Sequence, residues 1–197
     1  MRITMQQKEE NRARIVAVAS KLFRENGFDG IGVADLMKNA GMTHGGFYNH
    51  FGSKEELESA ACDLAFERAI ARISAAAKET HEVRRSAYVE HVADYLSPRA
   101  RDAAGGCPMV SLGSDVSKRG TQVRKCFGSG VSRYIDTISA LIARPRRSQS
   151  RTRKDAIATL ALLVGGLLLA RTVRDNSLKE SDEILLVVKN AIYAAAS

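Results

Sequence analysis

Fifteen consecutive residues, Ala156 to Ala170, carry no charged side chain and are bounded by Asp155 and Arg171. At helical spacing Leu160, Leu163, Val164, Leu167 and Leu168 spread around nearly the whole circumference. Such a helix must be buried on most faces, in a core or against a partner chain. The run falls short of the roughly 18–20 apolar residues that a bilayer span requires. The 197-residue chain must therefore wrap it in other elements, and that length buries a core without disulfide staples.

Those other elements read as helices. No stretch alternates with period two in β-branched and aromatic residues, so the expected fold class is all-α. Apolar spacing places helices at 7–26, 33–39, 43–50, 82–96, 108–118, 121–143, 153–173 and 181–195, with a long one starting after Ser53. Asn26-Gly27 is a C-terminal stop, and Ser53 with Glu56 forms a capping box. Aromatic residues make up 6% and Trp is absent, so the core must be aliphatic and rich in Ala. Cys62, Cys107 and Cys126 are too few for a disulfide framework, and no CxxC or HExxH occurs. His81 and His91 are too far apart for an i,i+4 metal pair. No metal or cofactor is expected. The first residues, MRITMQQKEENRAR, lack the apolar stretch of a signal peptide, so a soluble cytoplasmic protein without a membrane partner is expected.

The net charge of +8 is unevenly placed. Residues 1–55 carry a net +2, 56–143 a net +1 and 155–197 a net −1. The short segment RPRRSQSRTRK, 144–154, carries +6 and reads as a solvated loop. A packager that binds nucleic acid without regard to sequence would spread its basic charge over the fold. This chain does not.

The chemistry concentrates in residues 32–51, GVADLMKNAGMTHGGFYNHF. Two short helices around a turn at Gly41 meet the requirement of a helix-turn-helix. Ala34, Leu36, Met37 and Ala40 are expected to pack the first helix, and Phe47 and Phe51 to anchor the second. Thr43, His44, Gly45, Gly46, Tyr48, Asn49 and His50 are left on or near the outer face. Two glycines in a helix cost about 1 kcal/mol each relative to Ala. They suit a backbone that approaches another molecule closely, with a tight helix–helix contact as the alternative.

The run KLFRENGFDGIGVADLMKNAGMTHGGFYNHFGSKEEL, from Lys21 to Leu57, resembles the N-terminal domain of TetR/AcrR-type transcriptional regulators. The matching features are Gly27-Phe28, the Ala40-Gly41 turn, Phe47-Tyr48, His50-Phe51 and Ser53-Lys54. The resemblance implies a three-helix DNA-binding domain over 1–56, with its motif at 32–51. A helical effector-binding and dimerisation domain would follow over 57–197. It implies a homodimer on double-stranded operator DNA, released by a small-molecule effector, with the third helix in the major groove. Carried over by position, Thr43, Tyr48, His50 and Lys54 would contact phosphates, while His44, Gly45, Gly46 and Asn49 would face base edges. The family usually has Thr or Ser where this chain has Ile31 and Gly32, so a side-chain cap and its phosphate contact are not expected at that helix start.

Beyond the motif, Tyr88, Tyr95, Cys107, Met109, Phe127 and Tyr134 are candidate linings for a largely apolar effector pocket. Leu160, Val164, Leu167 and Ile184 are candidates for a dimer interface, with Gly165-Gly166 allowing close helix approach. Cys107, between Gly105-Gly106 and Pro108, begins a helix, where a thiolate is stabilised. A thiol-based redox protein or small enzyme using Cys107 is therefore the alternative function. No catalytic motif accompanies it.

Overall fold

The computed structural model describes residues 4–145 and 148–196. Among the described residues every regular element is helical: α1 (Met5–Asn26), α2 (Val33–Asn39), a 3-10 helix (His44–Asn49), α3 (Lys54–Ala76), α4 (His81–Tyr95), α5 (Pro98–Asp102), α6 (Pro108–Val116), α7 (Thr121–Ile142), α8 (Gln149–Val173) and α9 (Leu178–Ala196).

Local chemistry sets the ends. Gly27 closes α1 at φ +75°, a conformation that costs glycine little, and its N–H donates to the Phe23 carbonyl at 2.8 Å. At the start of α3 the Ser53 hydroxyl accepts from the Glu56 N–H at 3.1 Å, but the Glu56 carboxylate takes the Gly52 N–H at 2.8 Å. The expected box is thus displaced by one residue. Helix α5 was not expected, since its five residues are too few to show a period; Ser97 caps it and Pro98 opens it. The basic segment is also shorter as a loop than expected. Ser148 accepts from the Arg151 N–H at 3.3 Å and starts α8 at Gln149, so Arg151, Arg153 and Lys154 ride on its first turns. Arg146 and Arg147 lie outside the described residues.

Compactness divides the chain into two units. One unit comprises residues through Ala69 together with Ala104–Val131; the other comprises Ile70–Ala103 and the residues from Ser132 onward. The first has an aromatic core of Phe23, Phe28, Phe47, Phe51 and Phe66, with Ile15, Leu36, Met37 and Leu57. Phe66 of α3 meets Phe127 of α7 edge to face at 5.0 Å, and a Cβ on Gly130 would overlap the Phe66 ring. In the second unit α8 packs against α9, α5 and α4. Ala156, Leu160, Leu163, Leu167 and Ala170 point inward. By length and composition alone α8 could cross a membrane; here it is a bundle helix with one face in the core and an apolar face outside. That outer face carries Ile157, Leu162, Leu168 and Leu169, and α9 adds Leu186 and Val187.

The two central glycines of α8 have different roles. A Cβ on Gly166 would come within 2.9 Å of Val188 and 3.2 Å of Leu96, whereas one on Gly165 would meet nothing within 4 Å. Close approach at Gly166 serves this chain's own bundle.

Candidate nucleic-acid interface

Residues 32–51 fold as a helix, a turn and a short 3-10 helix. Gly32 precedes α2 with no side-chain cap, its carbonyl accepting from the Leu36 N–H at 3.1 Å. Leu36, Met37 and Ala40 are buried as expected, but Ala34 is exposed. Gly41 makes the turn at φ +72°, and the Met42 N–H reaches back to the Met37 carbonyl at 2.9 Å. The expected α-helix over 43–50 is a 3-10 helix over His44–Asn49. Two adjacent glycines weaken α-helical propensity there, and a single turn gains too few i→i+4 bonds to recover it.

Phe47 seats that turn. It is buried, stacks on Phe51 at 5.6 Å and carries the Tyr48 ring on its edge at 5.3 Å. Thr43, His44, Gly45, Tyr48 and Asn49 are exposed, Tyr48 by 70%, while Gly46 and His50 are half-buried. A Cβ on Gly45 would meet nothing, and one on Gly46 only ordinary contacts at 3.5 and 3.7 Å. Among the described residues no helix–helix contact requires either glycine.

Charged side chains hold this surface in place, among them Arg12, Glu58 and Arg119, which no sequence pattern singled out. Arg12 of α1 pairs with Glu56 at 3.1 Å and lies 4.6 Å over the Phe51 ring. The Gly52 N–H, and then Arg12, hold the Glu56 carboxyl below its ordinary range. Arg119, in the turn between α6 and α7, pairs with Asp29, lies 3.7 Å from Glu58 and stacks 5.4 Å from Phe28. Glu58 is 3% exposed, and its burial raises its pKa against the pull of Arg119 and Lys54. Lys54 itself donates to the Phe28 and Ile31 carbonyls at 2.7 and 3.1 Å, with Glu58 at 3.9 Å. Its ammonium protons are engaged on the loop between α1 and α2. Burial, with Lys8 and Arg12 nearby, lowers the His50 pKa and favours the neutral ring.

The family described as "Bacterial regulatory proteins, tetR family" matches residues 15–61, the span that contains this geometry. Those residues are thus similar to the DNA-binding domain of the TetR family of transcriptional regulators. The HTH-type transcriptional repressor NemR of Escherichia coli is 24% identical over 195 residues, spanning 95% of this chain and 96% of that protein. The HTH-type transcriptional regulator LmrA of Bacillus subtilis is 22% identical over 171 residues, 85% and 90% of the two chains. The reduced form of E. coli NemR superposes with a TM-score of 0.71 at 24% identity, covering 92% of this chain and 96% of that one. A TetR transcriptional regulator from Legionella pneumophila superposes with a TM-score of 0.76 at 19% identity over 98% of each chain. The likeness of fold thus extends well beyond the matched motif.

The six expected pocket residues divide between the two units. Cys107, Met109 and Phe127 belong to the first unit and Tyr88, Tyr95 and Tyr134 to the second. Phe127 is taken by Phe66, and Tyr134 by His91, whose Nε2 lies 3.0 Å from its hydroxyl. Tyr88 does line a cavity of about 300 Å³, formed by the start of α4, the end of α7, the start of α8 and the end of α9. No local pattern could have identified that set, because four distant segments supply it. Of the expected dimer residues, Leu160 and Leu167 are buried in the chain's own core, and Val164 and Ile184 are half-buried.

The three thiols of the chain are unequal. Cys62 is buried, and desolvation pushes its pKa up to about 12. Cys126 is half-buried and donates to the Ser59 carbonyl at 3.2 Å. Cys107 is half-buried at the N-cap of α6, after Gly105 and Gly106 at φ +80° and +66°. Arg24 donates to the Gly106 carbonyl at 2.6 Å, and its guanidinium is within electrostatic range of Cys107.

Proposed function

We propose that the protein is a repressor that binds a two-fold operator as a homodimer and is released by a small effector. The observation that carries the DNA contact is the outward face of the 3-10 helix. With Phe47 buried beneath it, His44, Gly45, Tyr48 and Asn49 stand exposed together. Thr43, Tyr48 and His50 take phosphates, while His44, Gly45, Gly46 and Asn49 approach base edges. Lys54 braces the loop between α1 and α2, since its protons are already engaged. Residues 1–56 carry DNA binding, and 57–197 carry assembly and effector response. The apolar outer face of α8 and α9 supports dimerisation, which places two recognition segments on successive turns of the duplex. Effector binding then shifts the population between dimers whose recognition segments do and do not match that spacing.

Cys107 supports a second mode of release. A half-buried thiol at a helix N-cap, facing the Arg24 guanidinium, is placed to favour its thiolate. Cys107→Ser would then retain operator binding after peroxide treatment that releases the wild type.

The deciding experiment selects operator sequences from random duplexes at physiological salt. Tyr48→Ala is expected to weaken binding to every selected sequence by about tenfold, as for a lost phosphate contact with no sequence content. Asn49→Ala is expected to change which sequences are selected. Unchanged affinity for Tyr48→Ala at moderate salt would show that this face does not meet DNA.

A further inference from the structure

The cavity of the second unit has a built polar end. Its walls include Val89, Leu141, Leu162 and Ile192, and two hydroxyls, those of Tyr88 and Thr159, meet in it at 3.3 Å. Both residues are buried, Tyr88 at 5% and Thr159 at 8% exposure. Two hydroxyls bring two protons, and the bond between them uses one. Neither has another partner among the described residues, so one buried O–H still lacks an acceptor. Burial raises the Tyr88 pKa above its usual value, which keeps the phenol a donor at neutral pH.

The rim is cationic. Arg85 is exposed and has no ion-pair partner among the described residues. Arg144 stands nearby and donates to the Ala196 carbonyl. His81 is also at the rim, and the lining contains one carboxylate, Asp155. Two guanidiniums against one carboxylate favour an anion, and Arg presents a fork that fits a carboxylate. Arg85 and Tyr88 lie one turn apart on α4, so a ligand on that face meets both. The volume is at the small end for ligand pockets.

We infer that this cavity binds a small apolar carboxylate, its charge at Arg85 and a neutral oxygen acceptor against the Tyr88–Thr159 pair. The inference rests on the second unit as the effector-binding part and names the effector's chemical class. Three probes test it by calorimetry on the full-length protein without DNA: 4-methoxycinnamate, its amide, and 4-ethylcinnamate. Because DNA is absent, the result stands apart from operator binding. The expected order is 4-methoxycinnamate tightest, with the amide about tenfold weaker. Arg85→Met is expected to remove that preference and leave amide binding as it was. Tyr88→Phe is expected to remove the advantage of the methoxy over the ethyl compound, with thermal melts checking that both variants stay folded. Equal binding of carboxylate and amide, or no heat from either carboxylate at about 1 mM, would overturn the inference. So would an Arg85→Met variant that keeps the carboxylate preference.

Discussion

His50 shows how one residue links the proposed DNA-facing surface to the core beneath. Half-buried and close to Lys8 and Arg12, it has a lowered pKa in the folded chain. In the unfolded chain it titrates near the ordinary value of about 6.5. The folded state therefore binds fewer protons, and the stability tied to the neutral ring is fully present above about pH 6.5. It is lost as pH falls through that value toward the lower folded pKa. Urea unfolding from pH 7.5 down to 5 should show a decline that His50→Gln flattens, because Gln keeps polarity but does not titrate. Identical pH slopes for the two proteins would mean the ring gains no charge-dependent penalty on folding. The same proximity of Lys8 and Arg12 makes this patch attractive to phosphate, so the cost and the proposed role share a cause.

Between elements, the turn joining α6 and α7 is tied to the DNA-binding helices through Arg119. It neutralises Glu58 on α3, pairs with Asp29 after α1 and covers Phe28. The turn also approaches the head of α3, where the Gln122 N–H donates to Glu55 at 3.2 Å. Removing one partner of a buried pair leaves a charge without compensation, which costs more than the pair itself contributes. Glu58 can limit that cost by taking up a proton. Arg119→Ala is accordingly expected to destabilise the protein by about 1–3 kcal/mol, and adding Glu58→Gln to recover part of that loss. Additive losses in chemical denaturation would show that the two side chains are not coupled. Since Lys54 holds the adjacent carbonyls and also faces Glu58, movement of this turn would alter charge balance where the α1–α2 loop is braced.

At the level of the whole molecule, the exposed apolar surface of α8 and α9 is where the proposed dimer would form. Leu169 is 55% exposed, Val187 58% and Leu186 53%, on helices whose opposite faces form the core. Leu169→Glu is expected to give a folded monomer by light scattering at micromolar concentration, with operator affinity lost because one recognition segment cannot span two half-sites. Leu160→Ala supplies the contrast, since it empties a buried position and should cost about 2–5 kcal/mol of stability. A dimeric Leu169→Glu protein would place the assembly surface elsewhere.

What the sequence by itself determined is what short-range physics controls. The Phe47 and Phe51 spacing, the left-handed turn at Gly41 and the caps at Gly27 and Ser53 act within a few residues, so the helix-turn-helix was legible almost residue by residue. The same holds for the all-α class and for the need to bury 156–170. Where local terms nearly balance, as in His44–Asn49, the element was legible but its helix type was not. Only the tertiary structure decided which side of α8 faces inward, because Leu160 and Leu168 are equally apolar and their difference lies in what packs against them. It also decided that the Lys54 charge is spent on Phe28 and Ile31, 26 and 23 residues away, and that Arg119 reaches Asp29 across 90 residues. The cavity belongs to the same class, since four segments distant in the chain must meet before Arg85, Tyr88 and Thr159 share one space. Periodicity records which residues share a helix face; it carries no record of which face meets which.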